Sequence, residues 1–377
     1  MHLDFIHGWD AEKASRAVSL CKTFLEAPIE RRFIFGRNVY ASSVLEKIDV
    51  AGVVDDFSNT DEFHGTPIVK LTDVPIDAVV LACSGGRPLT VRRLLTERGI
   101  VNLDYFMFLE WSGIELREIV FNEGFAEIAS NHAGDLDWVF SLMSDETSRN
   151  TLRKLIRFRF SNDLDALEGF TYREEMQYFE PFIDYSSEKA VFVDVGGYDG
   201  FTSKEFIKHV PNYQAVHILE PEIRNSEVCR EALNGFENIT VHPYGAGSQA
   251  SKFRFSSSGS ASAISEEGDV EIEVRRIDDL VGDTPTFIKM DIEGAELGAL
   301  EGARDIITQN GPTLAICVYH RPSDFWEIPR KVLSMYSGYD VYLRHYTESI
   351  YETVMFFVPK KTEEVLGPVD NQDSHQV

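Results

Sequence analysis

The residues best suited to chemistry lie in a glycine-rich segment, Asp194-Val195-Gly196-Gly197-Tyr198-Asp199-Gly200, which joins a predicted strand to a predicted helix. Glycine lets the backbone turn sharply and approach a ligand where a Cβ atom would collide. Glu220 follows about 20 residues later, at the end of the next predicted strand, where its carboxylate can accept hydrogen bonds from a ribose diol. The loop and the acid together predict a nucleoside-bearing ligand across the carboxyl ends of these two strands.

The spacing of the acids indicates which nucleoside. A dinucleotide-binding loop reads G-x-G-x-x-G, and its backbone N–H groups hold a pyrophosphate. Here Asp194 lies two residues before Gly196, and Asp199 directly precedes Gly200, so that carboxylates would repel a pyrophosphate and suit a cation. S-adenosylmethionine carries a sulfonium and an ammonium group and is the predicted cofactor. The residues expected to contact it are Asp194, Gly196, Gly197, Tyr198, Asp199, Gly200, Thr202, Glu220, Pro221, Gly245, Ala246 and Asp291.

Strands and helices alternate from Val191 onward, which predicts a doubly wound, mostly parallel α/β sheet that positions this loop. The predicted strands are 191–195, 215–219, 239–242, 287–290, 314–318, 339–343 and 354–358, and the predicted helices are 202–209, 222–234, 295–308 and 325–336. The last two strands follow each other without a helix of that length, which predicts an antiparallel edge strand.

A smaller α/β pattern precedes this unit, with strands at 32–35, 50–54 and 78–83 and helices at 40–47 and 88–98. Strand signals then vanish, and apolar residues recur at helical spacing over 147–160, with Asp145 as the expected N-cap. We therefore divide the chain into an N-terminal Rossmann-like α/β domain (1–113), a helical connector (114–187), the cofactor-binding domain (188–360) and a polar tail (361–377).

Five blocks between about residues 144 and 360 resemble, in the same order, the FkbM family of S-adenosylmethionine-dependent methyltransferases. They are FVDVGGYDGFTSKEF (192–206), HILEPE (217–222), FIKMDIEGAELGALEGA (287–303), CVYHRPSDFWEIP (317–329) and YLRHYTESIYETVMFF (342–357). Tyr198 stands where the usual methyltransferase loop has glycine, as is common in this family. The resemblance implies a class I methyltransferase fold and O-methyl transfer to a hydroxyl of a sugar, a glycan precursor or a related natural product.

Methyl transfer to a hydroxyl requires the acceptor oxygen to lose its proton. The loops after the fourth and fifth strands form the acceptor side of such a sheet, and they contain Asp291, Glu293, Glu296, Tyr319, His320 and Arg321. His320 is the first candidate for general base, because the ordinary pKa of histidine lies near neutrality. Asp291 is its rival, as a base, a cofactor anchor or a metal ligand, and Glu293 is the third predicted catalytic residue.

Four residues are expected to contact the acceptor, namely Tyr319, His320, Arg321 and His345. Asp291, Glu293 and His320 also offer ligand atoms that Mg²⁺ or Mn²⁺ accepts. An Asp-x-Glu segment that opens a helix is equally favoured by helix capping and by the helix dipole. No metal is therefore predicted.

The segments IFGRNVYAS (34–42), GVVDD (52–56) and GTPIV (65–69) resemble the small nucleotide-binding-like domain that precedes some sugar-modifying transferases. Arg37 and Asn38 follow Gly36, and no second or third glycine completes a dinucleotide fingerprint, which argues against a working NAD site. A docking, oligomerisation or acceptor-recognition module is expected instead. Two other functions stay open: an NAD-linked sugar-modifying oxidoreductase and a non-catalytic, methyltransferase-like binding module.

The 377 residues include 36 basic and 62 acidic side chains, for a net charge of −26. So acidic a surface repels nucleic acids and anionic membranes, and neither a signal peptide nor a membrane-spanning run is expected. The cysteines are scattered singly, as suits a reducing compartment; they are Cys21, Cys83, Cys229 and Cys317. We expect a cytoplasmic enzyme with a small-molecule or glycan acceptor, and with a possible homo-oligomer contact through its N-terminal domain.

Overall fold

A computed structural model describes residues 9–185, 189–256, 263–264 and 270–361 of the chain. The N-terminal part contains α1 (Ala11–Glu26), β1 (Arg32–Phe35), α2 (Val39–Leu45), β2 (Gly52–Val54), β3 (Glu62–Phe63), β4 (Thr66–Val69), β5 (Val79–Ala82), α3 (Pro88–Glu97), β6 (Val101–Asp104) and α4 (Tyr105–Trp111). These strands form one six-stranded sheet in the order β3-β4-β2-β1-β5-β6. All neighbouring strands are parallel except β3 and β4, as crossover helices require.

Helices are the main regular elements of the described chain between the two large sheets. They are α5 (Phe125–Ser130), α6 (Ala133–Leu142) and α7 (Glu146–Ser161), followed by short 3₁₀ turns at Leu164–Leu167 and Glu174–Met176. Asp145 is the N-cap of α7, and its side chain accepts a hydrogen bond from the Ser148 backbone N–H at 2.7 Å. The helix ends at Asn162, which has a left-handed backbone, a conformation that asparagine tolerates better than most residues.

The rest of the described chain contains β7 (Val191–Val195), α8 (Phe201–His209), β8 (Ala215–Leu219), α9 (Ile223–Ala232), β9 (Ile239–His242), β10 (Gly245–Ala246), β11 (Ser251–Ser256), β12 (Ala263–Ile264), β13 (Val270–Arg275), α10 (Ile277–Leu280), β14 (Phe287–Met290), α11 (Glu296–Gly302), α12 (Arg304–Asn310), β15 (Thr313–Cys317), α13 (Asp324–Met335), β16 (Tyr339–His345) and β17 (Thr353–Pro359). Seven strands form the main sheet in the order β16-β17-β15-β14-β7-β8-β9. The predicted doubly wound, mostly parallel sheet is confirmed.

The structure differs from the predicted elements in three places. The antiparallel strand is β17, which lies one position in from the edge and pairs with both β15 and β16. The predicted helix 295–308 is two helices, because the Asp278 carboxylate accepts hydrogen bonds from the backbone N–H groups of Asp305 and Ile306 and starts a second helix there. A small sheet, β10-β13-β11-β12, is additional.

The two large sheets share one hydrophobic core. One hydrophobic cluster includes Ile34 from the N-terminal sheet, Leu155 from α7 and Ile316 from the main sheet. Burial of this shared apolar surface ties the three parts of the chain together. Among the described residues, no helix combines the length and the apolar character that crossing a bilayer demands.

Candidate active site

The glycine loop between β7 and α8 is shaped by close packing of its backbone. Gly196 has a left-handed φ of +85°, and a Cβ atom there would lie 2.1 Å from the backbone oxygen of Asp291. A Cβ atom on Gly197 would lie 2.2 Å from Cγ2 of Ile218. Neither contact leaves space for a side chain. These two glycines are therefore required by the close approach of Asp291, which follows β14, and of Ile218 in β8.

A buried ion pair holds this loop from below. Lys289 Nζ lies 3.1 Å from Asp194 Oδ1, and the two side chains are 4% and 0% exposed. Lys289 also donates a hydrogen bond to the Gly196 carbonyl at 2.6 Å, while Ser203 donates to the other Asp194 oxygen at 2.8 Å. Burial alone would lower the pKa of Lys289, but the charges of Asp194 and Asp291 outweigh it and raise that pKa to about 12. Lys289 therefore balances the charge of Asp194 within the protein.

Glu220 ends β8 and lies directly under the loop. Its carboxylate accepts hydrogen bonds from the backbone N–H groups of Tyr198 and Glu222, each at 2.9 Å. The side chain is largely buried, and burial raises its pKa. Tyr198 itself has a left-handed φ of +47° and is 67% exposed. A buried acid thus lies beside an exposed aromatic residue, a combination of polar and apolar groups that is typical of ligand sites.

The other predicted cofactor residues surround the same end of the sheet. Asp199 is exposed and accepts a hydrogen bond from the Phe201 N–H at 3.0 Å, so that it helps to begin α8. Gly200 has a left-handed backbone and Thr202 is half-buried in α8. Gly245 and Ala246 form β10, where a Cβ atom on Gly245 would lie 3.8 Å from Cβ of Pro221.

A cluster of carboxylates and one imidazole lies at the ends of β14 and β15. The His320 ring is fully buried; its Nδ1 lies 2.9 Å from Glu296 Oε1, and its Nε2 lies 3.4 Å from Asp291 Oδ1 and 3.8 Å from Glu293 Oε2. The predicted catalytic residues Asp291, Glu293 and His320 are thus brought together. Glu296 additionally accepts a hydrogen bond from the Ile292 N–H at 3.0 Å, which fixes the loop between β14 and α11.

Three further residues of this cluster were not predicted. Tyr178, from the connector, donates a hydrogen bond to Asp291 Oδ2 at 3.0 Å. Glu352, at the start of β17, accepts hydrogen bonds from the Tyr319 hydroxyl at 3.1 Å and from Gln177 Nε2 at 2.6 Å. The third is Lys289, whose only signal in the sequence is a charged residue inside an otherwise apolar strand, FIKM. Tyr178 and Glu352 carry no such signal.

The pKa values in this cluster reflect an excess of buried acid. Burial and the neighbouring carboxylates raise the pKa of Glu293, of Asp324 and of Glu352 to about 7 each. Burial alone would lower the pKa of His320, but its contact with Glu296 prevails and raises it to about 9. The expectation of a near-neutral pKa for His320 is wrong. A site that raises carboxyl pKa values and holds an imidazolium favours positive charge.

Strained backbone concentrates around this cluster. Of the eight non-glycine described residues with left-handed φ, four lie here, namely Phe121, Tyr178, Glu293 and Glu352, and a fifth, Tyr198, lies in the glycine loop. The Phe121 ring stands edge-on to His320 at a centroid distance of 5.1 Å. Buried Arg159 donates hydrogen bonds to the backbone oxygens of Phe121 and Tyr319 and supports this arrangement. Strain of this kind persists where the surrounding structure enforces it, typically at functional sites.

The predicted acceptor-side residues are dispersed. Tyr319 and His320 are buried within the cluster, whereas Arg321 is exposed and packs over Gly294, where a Cβ atom would meet Arg321 Nε at 2.9 Å. His345 lies apart: its ring contacts Phe170 at 4.4 Å, and Nδ1 lies 2.9 Å from the Thr353 hydroxyl. Burial lowers the pKa of His345 to about 3. A neutral, buried histidine under the connector is not placed to meet an acceptor.

Two sets of potential metal-ligand atoms each lie within 4.8 Å of one another, namely Asp291, Cys317 and Glu352, and Glu296, His320 and Asp324. In the first set, the Tyr178 hydroxyl already lies 3.0 Å from Asp291 and 3.4 Å from the Cys317 sulfur. In the second, the three side chains are all buried and His320 is already paired with Glu296. We assign no metal to either set.

Comparison with known proteins concerns the family and the fold. Residues 194–350 match the model of the methyltransferase FkbM domain. A solved structure of a methyltransferase FkbM from Methylobacillus flagellatus KT is similar over 94% of this chain and 95% of its own, with 24% identity and a TM-score of 0.71, which shows the fold. An rRNA methylase from Streptococcus thermophilus covers 46% of this chain and 89% of its own at 14% identity, but its TM-score of 0.32 carries no argument. No curated protein matches the chain.

Proposed function

We propose that this protein, whose residues 194–350 match the methyltransferase FkbM domain, is a methyltransferase that uses S-adenosylmethionine and methylates a hydroxyl of a sugar, a glycan precursor or a related natural product. The observation that carries the proposal is the convergence of carboxylates at the ends of β8 and β14, with Glu220 under the glycine loop and Asp291 and Glu293 beside it. Such a site attracts a nucleoside that bears positive charge and repels a pyrophosphate.

The residues present fit S-adenosylmethionine. Each oxygen of Glu220 accepts only one backbone hydrogen bond, so that lone pairs remain for a ribose diol. Asp291 and Glu293 supply negative charge for the sulfonium and ammonium groups. When bound, the cofactor would supply an electrophilic methyl group. Further contacts are proposed from Gly196, Gly197, Tyr198, Asp199, Gly200, Thr202, Pro221, Gly245 and Ala246. Asp194 supports the loop through its ion pair with Lys289.

We assign the role of general base to Glu293. A base is most effective when its pKa lies near the working pH, and that of Glu293 is raised to about 7. His320, with a pKa of about 9, holds its proton at neutral pH and instead positions the two carboxylates next to its Nε2. Glu293 therefore takes the proton of the acceptor hydroxyl, and Asp291 orients the bound groups.

The lining of the cluster supports a polyhydroxylated acceptor. Phe121 and Tyr319 present aromatic rings with a centroid separation of 5.8 Å, and Glu293 and Glu352 present carboxylate oxygens. Aromatic faces combined with a few polar groups are typical of sites that bind small molecules. The exposed guanidinium of Arg321 lies at the rim and suits an anionic group of such an acceptor.

The test is a mass-spectrometric screen of the protein with S-adenosylmethionine against nucleotide sugars and lipid-linked glycans, which looks for products heavier by one methyl group. We expect Glu293→Gln to reduce turnover of a methylated acceptor by about 10²-fold or more. Glu327→Gln, on the exposed face of α13, is the matched control and keeps wild-type turnover.

Calorimetric titrations with S-adenosylmethionine and with NAD separate the remaining alternatives. Binding of S-adenosylmethionine alone supports the methyltransferase proposal, and binding of NAD alone supports an oxidoreductase. If S-adenosylmethionine does not bind, the proposal is overturned. Wild-type turnover in Glu293→Gln would return the role of base to Asp291 or His320.

A further inference from the structure

The loop between β16 and β17, residues 346–352, joins the N-terminal sheet to the carboxylate cluster. Its first part lies against the turn between β5 and α3, where the Glu348 N–H donates a hydrogen bond to the Gly86 carbonyl at 3.3 Å. Its last residue, Glu352, belongs to the cluster around Asp291. The loop residues from Tyr346 to Ile350 are all buried, so that the loop is enclosed on both sides.

Glu348 fills the N-terminus of α3. Its two carboxylate oxygens accept hydrogen bonds from the Thr90 N–H at 2.7 Å and from the Thr90 hydroxyl at 2.5 Å. Free N–H groups and the helix dipole make such an N-terminus attractive to anions. In a nucleotide-binding sheet a phosphate takes this position. Here a carboxylate from the methyltransferase part of the same chain takes it.

A second contact fastens the loop three residues further on. The hydroxyl groups of Tyr351 and Tyr40 lie 2.5 Å apart, and Tyr40 also accepts a hydrogen bond from the Val120 N–H at 3.1 Å. A Cβ atom on Gly85 would lie 3.5 Å from the Tyr40 ring and 4.0 Å from the Tyr351 ring. The carboxyl edge of the N-terminal sheet is therefore closed by side chains at the place where a dinucleotide would lie.

Glu352 follows Tyr351 directly and has a left-handed φ of +58°. Its backbone oxygen accepts a hydrogen bond from the Tyr346 N–H at 3.1 Å, which closes the loop into a compact turn. Its carboxylate lies within 4.8 Å of both Asp291 and Cys317. An acid held in strained backbone among other acids requires restraint from its surroundings, and Glu348 and Tyr351 connect its loop to the N-terminal sheet.

We propose that the N-terminal unit is a fastening for this loop, and that Glu348 and Tyr351 are positioning residues that hold the Glu352 carboxylate in the methyl-transfer site. The proposal rests on the proposed function for the role of Glu352, but not for the fastening itself. It assigns the N-terminal sheet a part in building the active site, in place of nucleotide binding.

The groups that face Glu352 set the pKa of its carboxyl group and therefore determine how that pKa changes when the loop is freed. They are Asp291 from the end of β14, Cys317 and Tyr319 from the end of β15, and Gln177 and Glu174 from the connector. Burial and the charges of Asp291 and Glu174 disfavour the ionised form, whereas Gln177 and Tyr319 stabilise it. A loop that leaves this environment lets the carboxyl group ionise at its ordinary pKa.

The experiment compares Glu348→Ala with Glu348→Gln and with Arg92→Ala. Arg92 is also on α3 but forms its ion pairs with Asp165 and Glu168 of the connector rather than with the loop. Hydrogen exchange of the ligand-free proteins is measured first. We expect Glu348→Ala alone to exchange faster over 346–352 and over 174–179, whose Gln177 contacts Glu352.

Proton release on S-adenosylmethionine binding is measured next, by calorimetry in two buffers at pH 7. The pKa of Glu352 is about 7, so that about half of this carboxyl group is protonated at pH 7 in the wild type. In Glu348→Ala the loop is free and the carboxyl group is already ionised, so the number of protons released on binding should fall by about half a proton. Glu348→Gln, which keeps an acceptor for Thr90, should restore the wild-type count. An unchanged exchange pattern in Glu348→Ala, or the same changes in Arg92→Ala, would overturn the fastening. Failure of the wild type to bind S-adenosylmethionine would overturn the proposed function and leave the exchange test decisive for the fastening.

Discussion

Replacement of Lys289 by methionine tests the buried ion pair under the glycine loop. The substitution keeps most of the side-chain volume and removes the charge. It leaves Asp194, whose side chain is fully buried, with only the Ser203 hydroxyl as a described hydrogen-bond partner. It also removes the donor to the Gly196 carbonyl. We expect the substitution to weaken the contacts that fix the glycine loop and to lower the free energy of unfolding of the protein.

The magnitude follows from burial. An exposed ion pair contributes about 0–1 kcal/mol, but removal of one partner of a buried pair costs about 3–5 kcal/mol, because the other charge is left unpaired. At 4% and 0% exposure, Lys289 and Asp194 belong to the second class. We therefore expect Lys289→Met to lower the free energy of unfolding by about 3–5 kcal/mol, a large share of the total of about 5–15 kcal/mol.

Urea denaturation followed by circular dichroism measures this loss. Lys331→Met is the control, because Lys331 pairs with Glu301 at the surface, where both side chains are about 30% exposed; it should cost less than about 1 kcal/mol. The double variant Lys289→Met with Asp194→Asn removes both charges and should recover about 2 kcal/mol relative to the sum of the single variants. A loss below 1 kcal/mol in Lys289→Met, or simple additivity in the double variant, would refute the reasoning.

Three other predictions concern the loop and the proposed donor site. Gly196→Ala should lower the free energy of unfolding by about 3 kcal/mol or more, whereas Gly282→Ala, in open space, should stay within about 0.5 kcal/mol in the same urea assay. Glu220→Gln should weaken S-adenosylmethionine binding about tenfold in calorimetry, since hydrogen bonds to a charged acceptor are lost; equal affinity would exclude the ribose contact. A bound sulfonium favours the ionised form of Glu293, so the affinity for S-adenosylmethionine should rise with pH up to the Glu293 pKa of about 7 and then level off. Below that pH the rise should be at most about tenfold per pH unit for each proton released. Glu293→Gln should flatten part of that profile, and a pH-independent wild type would contradict the assignment.

The fold was largely predictable because its strands have strong local signals. The bounds of β7, β8, β9 and β14 were predicted to the residue, since each is a short, mostly apolar run that ends at a glycine or a polar residue. The split between α11 and α12 was not predictable, because it depends on the Asp278 carboxylate, which precedes the second helix by more than 20 residues. Local propensity does not encode a cap supplied from elsewhere.

The candidate site was predicted in part, for a related reason. Asp291, Glu293 and His320 follow neighbouring parallel strands, so that topology alone brings them together. Tyr178 and Glu352 come from the connector and from the β16–β17 loop, and no spacing rule links them to Asp291. The pKa of His320 was wrongly expected near neutrality because it is set by Glu296, a contact that only the folded chain makes.

The ion pair changes where a cation belongs in this site. From spacing alone, Asp194 and Asp199 place negative charge on the glycine loop itself. In the structure Lys289 neutralises Asp194, and Asp199 is exposed and begins α8. The acids that stay partly exposed lie instead at Asp291 and Glu293, after β14, where both face the single imidazolium of His320. A sulfonium attracted to that point would hold its methyl group beside the carboxylate proposed as the base, so that the same charges that bind the donor also direct it toward the acceptor.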